Sequence, residues 1–538
     1  MIKHISMFTV RFIAQFLFCL MSLYYLVATA GTRINYVSFP EAIYFYAFVI
    51  LFVALFFFAK KQQNERTHYG TLAFWLFILL ISMPFALLKI TLGTNDMEPI
   101  ILFFRDNGME EVAAIGRGSF ASAAGLEMTF VSLLILSAYF LNKILTSFSK
   151  VLLAICIAHL AISPLSQYVY RQVVPNPVHA NYPASELITE PEIIARPTTQ
   201  KNLILVYLES LERSYVDLPE TKQVYKQLQA LEDKSINATN VDQTIGTSYT
   251  IAGMVGTQCG VPLLPKALNN GLYGNKNSGV VVETFMPKIR CLGDILSEDG
   301  YILSYMNGAS TKKYSKRGFL ASHGFSRFFD EDSVPMPEQE GRRNIWGFND
   351  EVLFDKARDE LSYLASQDKP FVFSMLTLST HGPDGFLDTT CEPEDVEKTG
   401  SGIPDAIRCT AIHLQELNQF LDEKGLSENT IVAVMSDHFA RSSSMTSSLS
   451  SNQDARRNLF YYSDGSQPRT IDKEGIALDI YPTLLNAMGY DLVDGRANMG
   501  VSLLSETPSL RSVINDEIIL NSIFQSNHTM GNYLWRDE

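Results

Sequence analysis

The 538-residue sequence predicts two parts of different class: an α-helical membrane domain, then an α/β/α layered domain with a mostly parallel central sheet. Residues 1–170 consist largely of apolar stretches and have a net charge of +3, whereas residues 171–538 have a net charge of −17. The second part alternates short apolar runs with helical patterns, which is typical of a layered sheet. Its acidic charge argues against a nucleic acid as partner, because a nucleic-acid-binding protein presents a basic face.

The first part contains five stretches long enough to cross a bilayer, since a helix needs about 20 apolar residues to span the hydrocarbon core. They lie roughly at 7–29, 41–59, 71–93, 122–142 and 151–170. Loops 60–70 and 143–150 carry Lys and Arg, whereas loop 94–121 is acidic. The positive-inside rule places the basic loops in the cytoplasm. About five transmembrane helices therefore put the N-terminus inside and everything after about residue 170 outside.

A connector is predicted between the two parts. Residues 164–200 hold six of the 22 prolines, and proline disfavours both helix interiors and sheet ladders. We therefore predict a transmembrane domain at 1–170, an extended linker at 171–200 and an exported catalytic domain at 201–538.

Four of the six cysteines lie in the part predicted to be exported, where disulfides persist. The pairings Cys259–Cys291 and Cys391–Cys409 are predicted among the alternative connectivities, because each closes a short loop. Four buried free thiols are the alternative, since unpaired cysteine is often buried.

The exported part contains three apolar runs of the kind that forms strands buried on both faces, at 202–210, 369–381 and 429–438. Helical patterns lie between them, for example at 350–366 and 410–424. This alternation predicts an α/β/α sandwich.

Three of the predicted strands end in side chains that can bind a metal: Glu209, His381, and the pair Asp437 and His438. Ligands of open parallel sheets bind outside the carboxyl ends of the strands. Carboxylate and imidazole groups suit a divalent cation such as Mn²⁺, Zn²⁺ or Mg²⁺. The alternative reading is that these residues are helix caps and ordinary surface polar groups.

A polar turn at 246–260, GTSYTIAGMVGTQCG, runs into a helical pattern that begins near Thr250. Helix N-termini favour negative charge, and a hydroxyl that binds a metal can lose its proton and attack phosphorus. Thr250 is therefore a candidate nucleophile. Thr247 and Ser248 are rival candidates, and the plainer interpretation of Thr250 is a helix N-cap.

Motifs spread in order over 200–440 resemble the alkaline phosphatase/sulfatase superfamily, in the branch of lipoteichoic acid synthases and phosphoethanolamine transferases. Within that branch they are most similar to the bacterial enzymes that transfer phosphoglycerol to periplasmic glucans. The motifs are LES (208–210), TIAGMVGTQCGVPL (250–263), CLGDIL (291–296), SHGF (322–325), WGFND (346–350), TLSTHGPDGF (377–386) and SDH (436–438). The resemblance implies a sulfatase-like fold for the exported domain.

The resemblance also implies roles for individual residues. It implies a metal site formed by Glu209, Thr250, Asp437 and His438. Thr250 matches the nucleophile, which favours it over the other two hydroxyls of the turn. His381 matches a catalytic histidine near the transferred group, and it lines the substrate pocket together with Trp346 and Arg343.

The implied activity is metal-dependent transfer of phosphoglycerol from phosphatidylglycerol to a periplasmic glycan acceptor. A phospho-threonine intermediate forms, and diacylglycerol is released. The implied location is the bacterial inner membrane, with a multi-pass anchor and the catalytic domain in the periplasm.

Three alternatives remain at this point. The first is a phosphoethanolamine transferase acting on lipid A or a glycan. The second is a membrane-anchored phosphodiesterase or sulfatase-like hydrolase, although the C/S-x-P-x-R pattern that a sulfatase needs is missing from 246–260. The third is a catalytically inactive domain that serves as a membrane sensor or scaffold.

Overall fold

The computed structural model describes residues 174, 178–264, 284–333, 342–382, 384–388, 391, 402–441, 443–445, 448–449, 455–524 and 528–536. The chain divides into two units, and the described residues belong to the second, Arg171–Glu538. The five predicted membrane spans lie outside the described residues. Among the residues that are described, no helix combines the length and the apolar character needed to span a membrane.

Fourteen strands occur in the described part of the chain. They are β1 (Ile193–Ala195), β2 (Asn202–Leu208), β3 (Ile236–Ala238), β4 (Val241–Asp242), β5 (Ile302–Asn307), β6 (Arg327–Phe329), β7 (Phe371–Leu376), β8 (Thr430–Ser436), β9 (Phe460–Ser463), β10 (Arg469–Ile471), β11 (Gly475–Ile476), β12 (Asp491–Leu492), β13 (Arg496–Ala497) and β14 (Gly500–Val501).

The α-helices of the described part are α1 (Val178–Asn181), α2 (Ala184–Leu187), α3 (Lys222–Glu232), α4 (Thr250–Cys259), α5 (Leu292–Glu298), α6 (Lys316–Ser322), α7 (Asp350–Ala365), α8 (Gly402–Glu423), α9 (Ile480–Ala487), α10 (Leu510–Val513), α11 (Glu517–Phe524) and α12 (His528–Leu534). Local sequence explains the ends of the two helices nearest the site. Asp350 and Glu351 place negative charge in the first turn of α7, where the helix dipole favours it. Helix α4 ends at Gly260, whose φ of 64° suits a glycine C-cap.

An eight-stranded sheet forms the centre of the domain, in the order β10-β3-β9-β8-β2-β7-β5-β6. Strand β9 runs antiparallel to both of its neighbours, and the other neighbouring pairs are parallel. The prediction of a mostly parallel central sheet is therefore confirmed. The predicted runs at 202–210, 369–381 and 429–438 became β2, β7 and β8, which lie side by side.

Side chains alternate between the two faces of β2, and each face meets a helical layer. Ile204 and Val206 are buried in a core cluster with apolar side chains of α3, α7 and α8. Tyr207 points to the opposite face, where its hydroxyl lies 2.8 Å from the hydroxyl of Thr257 in α4. Gln258 of α4 donates a hydrogen bond to the same tyrosine hydroxyl at 3.1 Å. The two helical layers produce the α/β/α arrangement.

The residues on either side of the catalytic motifs belong to the same unit. The segment predicted as an extended linker contains two short helices and β1, which pairs with β12 through Ile193 and Leu492. After residue 452, β9 and β10 extend the central sheet. Asn498 donates hydrogen bonds to the backbone carbonyls of Cys259 and Arg290, at 2.6 and 3.0 Å. The C-terminal segment thus supports the end of α4.

Both predicted disulfides are present, Cys259–Cys291 and Cys391–Cys409. The first joins the last residue of α4 to the residue that precedes α5. The second joins the segment between β7 and α8, at Cys391, to α8 itself, at Cys409. The alternative of free thiols is therefore wrong for all four cysteines.

Candidate active site

Helix α4 approaches the end of β8 so closely that only glycine fits at the contact. A Cβ atom at Gly253 would lie 1.7 Å from the backbone oxygen of Asp437, far inside van der Waals contact. Because a glycine stands there, the first turn of α4 reaches the carboxyl ends of the strands. Thr250, the first residue of the helix, is half-buried and donates a hydrogen bond to Glu209 Oε2 at 3.3 Å.

Three metal-binding side chains meet beside this threonine. Glu209, Asp437 and His438 are 2–3% exposed, and each offers one ligand atom within 4.8 Å of the others. His438 Nε2 lies 3.5 Å from Glu209 Oε1 and 3.3 Å from Asp437 Oδ2. The adjacency of β2 and β8 produces this cluster, since Leu208 and Ser436 are register partners and the cluster residues follow them directly.

The backbone at these strand ends is held firmly. Asp437 Oδ1 accepts hydrogen bonds from the backbone N–H groups of Ser210, at 2.9 Å, and His438, at 2.8 Å. Ser210 also donates its hydroxyl proton to Glu209 Oε1 at 2.8 Å. Ser210 has a φ of 53°, a conformation that is uncommon outside glycine and is concentrated at functional sites.

The hydrogen bonding of His438 determines which of its nitrogens carries the proton. Nδ1 lies 2.7 Å from the backbone carbonyl of Phe439, which can only accept, so Nδ1 holds the proton and Nε2 presents a lone pair. Burial lowers the pKa of His438 to about 4 and therefore keeps the imidazole neutral. The lone pair faces the carboxylates of Glu209 and Asp437.

The two carboxylates disfavour each other's charge. Burial raises the pKa of Asp437 to about 6, and burial together with the charge of Asp437 raises the pKa of Glu209. Asp437 Oδ2 is buried and accepts no hydrogen bond from the described residues. Two crowded carboxylates, an imidazole lone pair and an unsatisfied buried oxygen form a donor set that a divalent cation would satisfy. The residues present therefore fit a metal ion.

The structure also separates the three hydroxyls of the turn before α4. Thr247 is buried and its hydroxyl donates to the carbonyl of Thr244 at 2.8 Å, so it closes the turn. Ser248 is half-buried in the same turn. Thr250 donates its hydrogen bond to the carboxylate cluster, at Glu209.

The loop after β7 brings His381 against Trp346. Their ring centroids are 4.3 Å apart, and both side chains are half-buried. His381 Nδ1 donates to the carbonyl of Gly382 at 2.8 Å, which leaves Nε2 as the second ring nitrogen. Trp346 Nε1 is buried and has no hydrogen-bond partner among the described residues. Burial and the charge of Asp437 raise the pKa of Glu209, and a positive charge on His381 would oppose this rise.

Arg343 has a different environment from the other predicted pocket residues. It is exposed, and its recorded ion pair is with Glu331. The neighbouring Arg342 pairs with Glu351 and Asp355 on α7. The structure thus brings Trp346 and His381 together, and the two arginines form ion pairs with Glu331, Glu351 and Asp355.

Sequence reasoning missed a buried ion pair below the site. Glu212 is fully buried, and Arg456 donates to both of its carboxylate oxygens. The same guanidinium donates to the carbonyl of Ala440 at 2.8 Å and lies over the ring of Phe439. This pair fixes the loop that follows His438. Its members are 244 positions apart, so no local pattern could have joined them.

A family model described as sulfatase matches residues 201–490. The chain belongs to the sulfatase family. The superfamily predicted from the motifs is therefore confirmed.

Three known proteins illustrate the similarity. A phosphoglycerol transferase I from Citrobacter koseri is 33% identical over 317 residues, which make up 58% of this chain and 40% of that protein. The chain thus spans less than half the length of this relative. A crystal structure of the lipoteichoic acid synthase LtaP from Listeria monocytogenes has a TM-score of 0.48 at 19% identity, covering 60% of this chain and 81% of that one. An alkaline phosphatase superfamily protein from Vibrio parahaemolyticus has a TM-score of 0.46 at 22% identity, covering 59% and 72%.

Proposed function

We propose that the chain is a membrane-bound, metal-dependent transferase that moves phosphoglycerol from phosphatidylglycerol to a periplasmic glycan acceptor. Diacylglycerol is released, and the phosphoglycerol passes through an ester with Thr250. One observation carries the proposal: the Thr250 hydroxyl lies at the N-terminus of α4, 3.3 Å from Glu209 in the buried carboxylate–histidine cluster. The relative named phosphoglycerol transferase I supports this choice of transferred group.

Glu209, Thr250, Asp437 and His438 are the residues proposed to hold a divalent cation, Mn²⁺, Zn²⁺ or Mg²⁺. The three donor types present, carboxylate, hydroxyl and neutral imidazole, suit each of these ions. A bound cation would lower the pKa of a ligating hydroxyl and neutralise charge on a phosphate.

In the first step, Thr250 Oγ1 attacks the phosphorus of the lipid and the bond from phosphorus to the diacylglycerol oxygen breaks. The hydroxyl proton of Thr250 points to Glu209 Oε2, which is positioned to receive it. The free N–H groups of the first turn of α4 favour the negative charge of the phosphate. Protonated His381 gives the Nε2 proton to the departing diacylglycerol oxygen.

In the second step, the hydroxyl of the glycan acceptor attacks the same phosphorus. Neutral His381 takes the acceptor's proton at Nε2, and the bond from phosphorus to Thr250 Oγ1 breaks. Glu209 returns the proton to Thr250 Oγ1, so both side chains regain their starting states. The double displacement needs no group beyond the donor, the acceptor and the proposed site.

Trp346 favours a glycerol headgroup over an ethanolamine headgroup. Its Nε1–H is a buried donor without a partner in the described part of the chain. A glycerol hydroxyl can accept a hydrogen bond from this indole, whereas a protonated ethanolamine has only donors to offer. We propose that Trp346, His381 and Arg343 line the headgroup pocket, and the indole donor makes phosphatidylglycerol the better donor lipid.

The proposal gives the N-terminal part a role. Residues 1–170 form the transmembrane domain, 171–200 the connection, and 201–538 the exported catalytic domain on the periplasmic side of the inner membrane. Because the donor lipid lies in the bilayer, an anchored domain meets it at a raised effective concentration.

The test is headgroup transfer by the full chain reconstituted in vesicles. Phosphatidylglycerol and phosphatidylethanolamine are labelled in the headgroup in separate vesicles, and the protein is analysed by mass spectrometry before and after a glucan acceptor is added. We expect label from phosphatidylglycerol on Thr250, followed by its movement to the glucan. Thr250→Ala should abolish the labelling, whereas Thr470→Ala, at an exposed position in β10, should not.

Other outcomes would redirect or overturn the proposal. Label taken only from phosphatidylethanolamine would identify a phosphoethanolamine transferase. Label released to water despite excess glucan would identify a hydrolase. Full labelling of Thr250→Ala would move the nucleophile to another residue, and absence of a divalent ion from the purified chain would favour an inactive scaffold.

A further inference from the structure

A second buried acidic group, Asp350, lies outside the cluster around Thr250. It is the first residue of α7 and is fully buried. Its two carboxylate oxygens accept separate hydrogen bonds from the backbone N–H groups of Leu378, at 2.7 Å, and Ser379, at 3.1 Å. These residues begin the turn that leads to His381. The carboxylate of Asp350 therefore holds the backbone of the His381 loop in place through two hydrogen bonds.

Asp350 also follows directly after the turn that carries Trp346. Asn344 Oδ1 accepts the backbone N–H of Trp346 at 2.8 Å, and its Nδ2 donates to Asn349 Oδ1 at 3.2 Å. The backbone N–H of Phe348 donates to the carbonyl of Gly308, next to the end of β5. One residue thus links the turn of Trp346 to the loop of His381, whose rings are in contact.

A buried pair, Asp388 and His413, interacts electrostatically with Asp350. His413 Nε2 lies 2.8 Å from Asp388 Oδ2, and both side chains are nearly inaccessible. Asp388 also accepts a hydrogen bond from the backbone N–H of Glu351, at 3.1 Å, and from the hydroxyl of Ser379, at 3.3 Å. The two acids therefore hold the same loop from adjacent positions.

The charges in this group depend on one another. Burial and the charge of Asp388 raise the pKa of Asp350 to about 7. Burial alone would lower the pKa of His413, but its hydrogen bond to Asp388 and the charges of Asp388 and Asp350 raise it. A positive His413 offsets the two acids, so that Asp350 can accept through both oxygens. Glu416 Oε2 faces His413 Nδ1 at 3.5 Å, and Arg358 in turn lies 3.9 Å from Glu416.

Stabilising the start of helix α7 would not require the buried charged group of Asp350, Asp388 and His413. Glu351 already provides a second negative charge in the first turn of helix α7. Burying ionisable groups is unfavourable, and sites that accept the penalty are concentrated where geometry matters for function. The bonds of Asp350 lead to the His381 loop rather than to the first turn of its own helix.

We infer that Asp350 is a positioning residue, whose carboxylate fixes the turn from Leu378 to His381 so that the imidazole stays against Trp346 and beside the Thr250 site. It acts through His381 and does not touch the substrate. The inference rests on the proposed function in one respect: the positioned histidine is taken to transfer a proton at Nε2.

The first test is a double-mutant cycle in the full chain. Asp350→Asn keeps the shape of the side chain but leaves one acceptor oxygen in place of two. We expect kcat for phosphoglycerol transfer to fall by about 10- to 100-fold, because a misplacement near 1 Å has about this effect, while KM changes by less than about threefold. In a His381→Ala background, Asp350→Asn should cause almost no further loss. Asp359→Ala, an exposed acid on the same helix, should behave like wild type in both backgrounds.

The second test does not depend on the reaction. Protonated imidazole quenches indole fluorescence on contact, so Trp346 emission should respond to the protonation of His381. The chain has three tryptophans, and the Trp346 component is the difference between each variant and its Trp346→Phe counterpart. Asp350→Asn should raise this component and weaken its pH response, whereas Asp359→Ala should leave both unchanged.

Either of two results overturns the inference. The first is that Asp350→Asn lowers kcat by the same factor in the wild-type and His381→Ala backgrounds. The second is that the Trp346 fluorescence component is the same in wild type and in Asp350→Asn. If Asp350→Asn does not fold, Asp350→Glu takes its place, since it keeps the charge but moves the carboxylate relative to the backbone N–H groups of Leu378 and Ser379. Absence of transfer by the wild-type chain would refute the proposed function alone, because the fluorescence result would still decide the role of Asp350.

Discussion

Gly253 provides a sharp test of how the candidate nucleophile is positioned. Replacing it by alanine would place a Cβ atom 1.7 Å from the backbone oxygen of Asp437, whereas ordinary contact begins at 3.4 Å. The first turn of α4 and the end of β8 must therefore separate by about 1.7 Å, the difference between these distances. In a helix without such a contact, the same change would stabilise by about 1 kcal/mol, because alanine is the better helix former.

We expect the steric effect to dominate. Overpacking of this kind destabilises by about 1–3 kcal/mol, and a displacement above 1 Å should reduce transfer by about 100-fold, equivalent to about 2.7 kcal/mol in the activation barrier. The measurements are urea unfolding and headgroup transfer from phosphatidylglycerol by the full chain. The loss of activity should exceed the fraction of protein that is unfolded, because Thr250 moves away from Glu209 even in the folded state.

Gly256 supplies the matched control on the same helix. A Cβ atom there would meet side-chain atoms rather than backbone, Thr247 Cγ2 at 2.8 Å and Leu478 Cδ2 at 3.3 Å. Gly256→Ala should therefore keep transfer within about threefold of wild type. The reasoning is refuted if Gly253→Ala is as active and as stable as Gly256→Ala.

Three further predictions concern the metal, a disulfide and pH. Asp437→Ala should lower the divalent metal content of the purified chain, measured by elemental analysis, and undiminished metal would place the ion elsewhere. Replacing Cys259 and Cys291 together by serine should reduce the free energy of unfolding by about 3–4 kcal/mol, because the bridge closes a separation of 32 residues; an unchanged urea midpoint would contradict this. The pKa of His413 is raised in the folded chain, so its stabilisation is full below the unfolded pKa of about 6.5 and is lost as pH rises through the folded value. The stability gap between wild type and His413→Gln should shrink with rising pH, and a gap that widens would contradict the assignment.

The rule that ligands bind at strand ends predicted from sequence that Glu209, Asp437 and His438 would lie together, as they do in the structure. Glu209 and the pair Asp437 and His438 follow buried apolar runs, and such runs form parallel strands. Sequence could not establish that β8, β2 and β7 lie side by side, because spatial order depends on the crossover connections. That order places Glu209 between the strand ends that carry the other candidates.

The partners of buried charges were beyond sequence reasoning. Asp350 was identified only as part of the WGFND motif and of the helical pattern at 350–366, and its hydrogen bonds reach 28 and 29 positions along the chain. Arg456 and Glu212 are farther apart still. Helical and strand periods report which face of an element is buried, but they carry no information about which charge meets which. For the same reason, the sequence could not predict that the Trp346 indole N–H would be buried without a hydrogen-bond partner among the described residues.

The two histidines of the candidate site make the same local hydrogen bond but have different proposed roles. In both His438 and His381, Nδ1 donates to the carbonyl of the following residue, so Nε2 faces the site. His438 is 3% exposed between two carboxylates, and burial keeps it neutral, which suits a metal ligand that must offer its lone pair at all times. His381 is half-buried against Trp346, and it is the group proposed to exchange protons with the lipid oxygen and the acceptor hydroxyl. Burial, rather than residue type, therefore separates the proposed metal ligand from the proposed proton carrier.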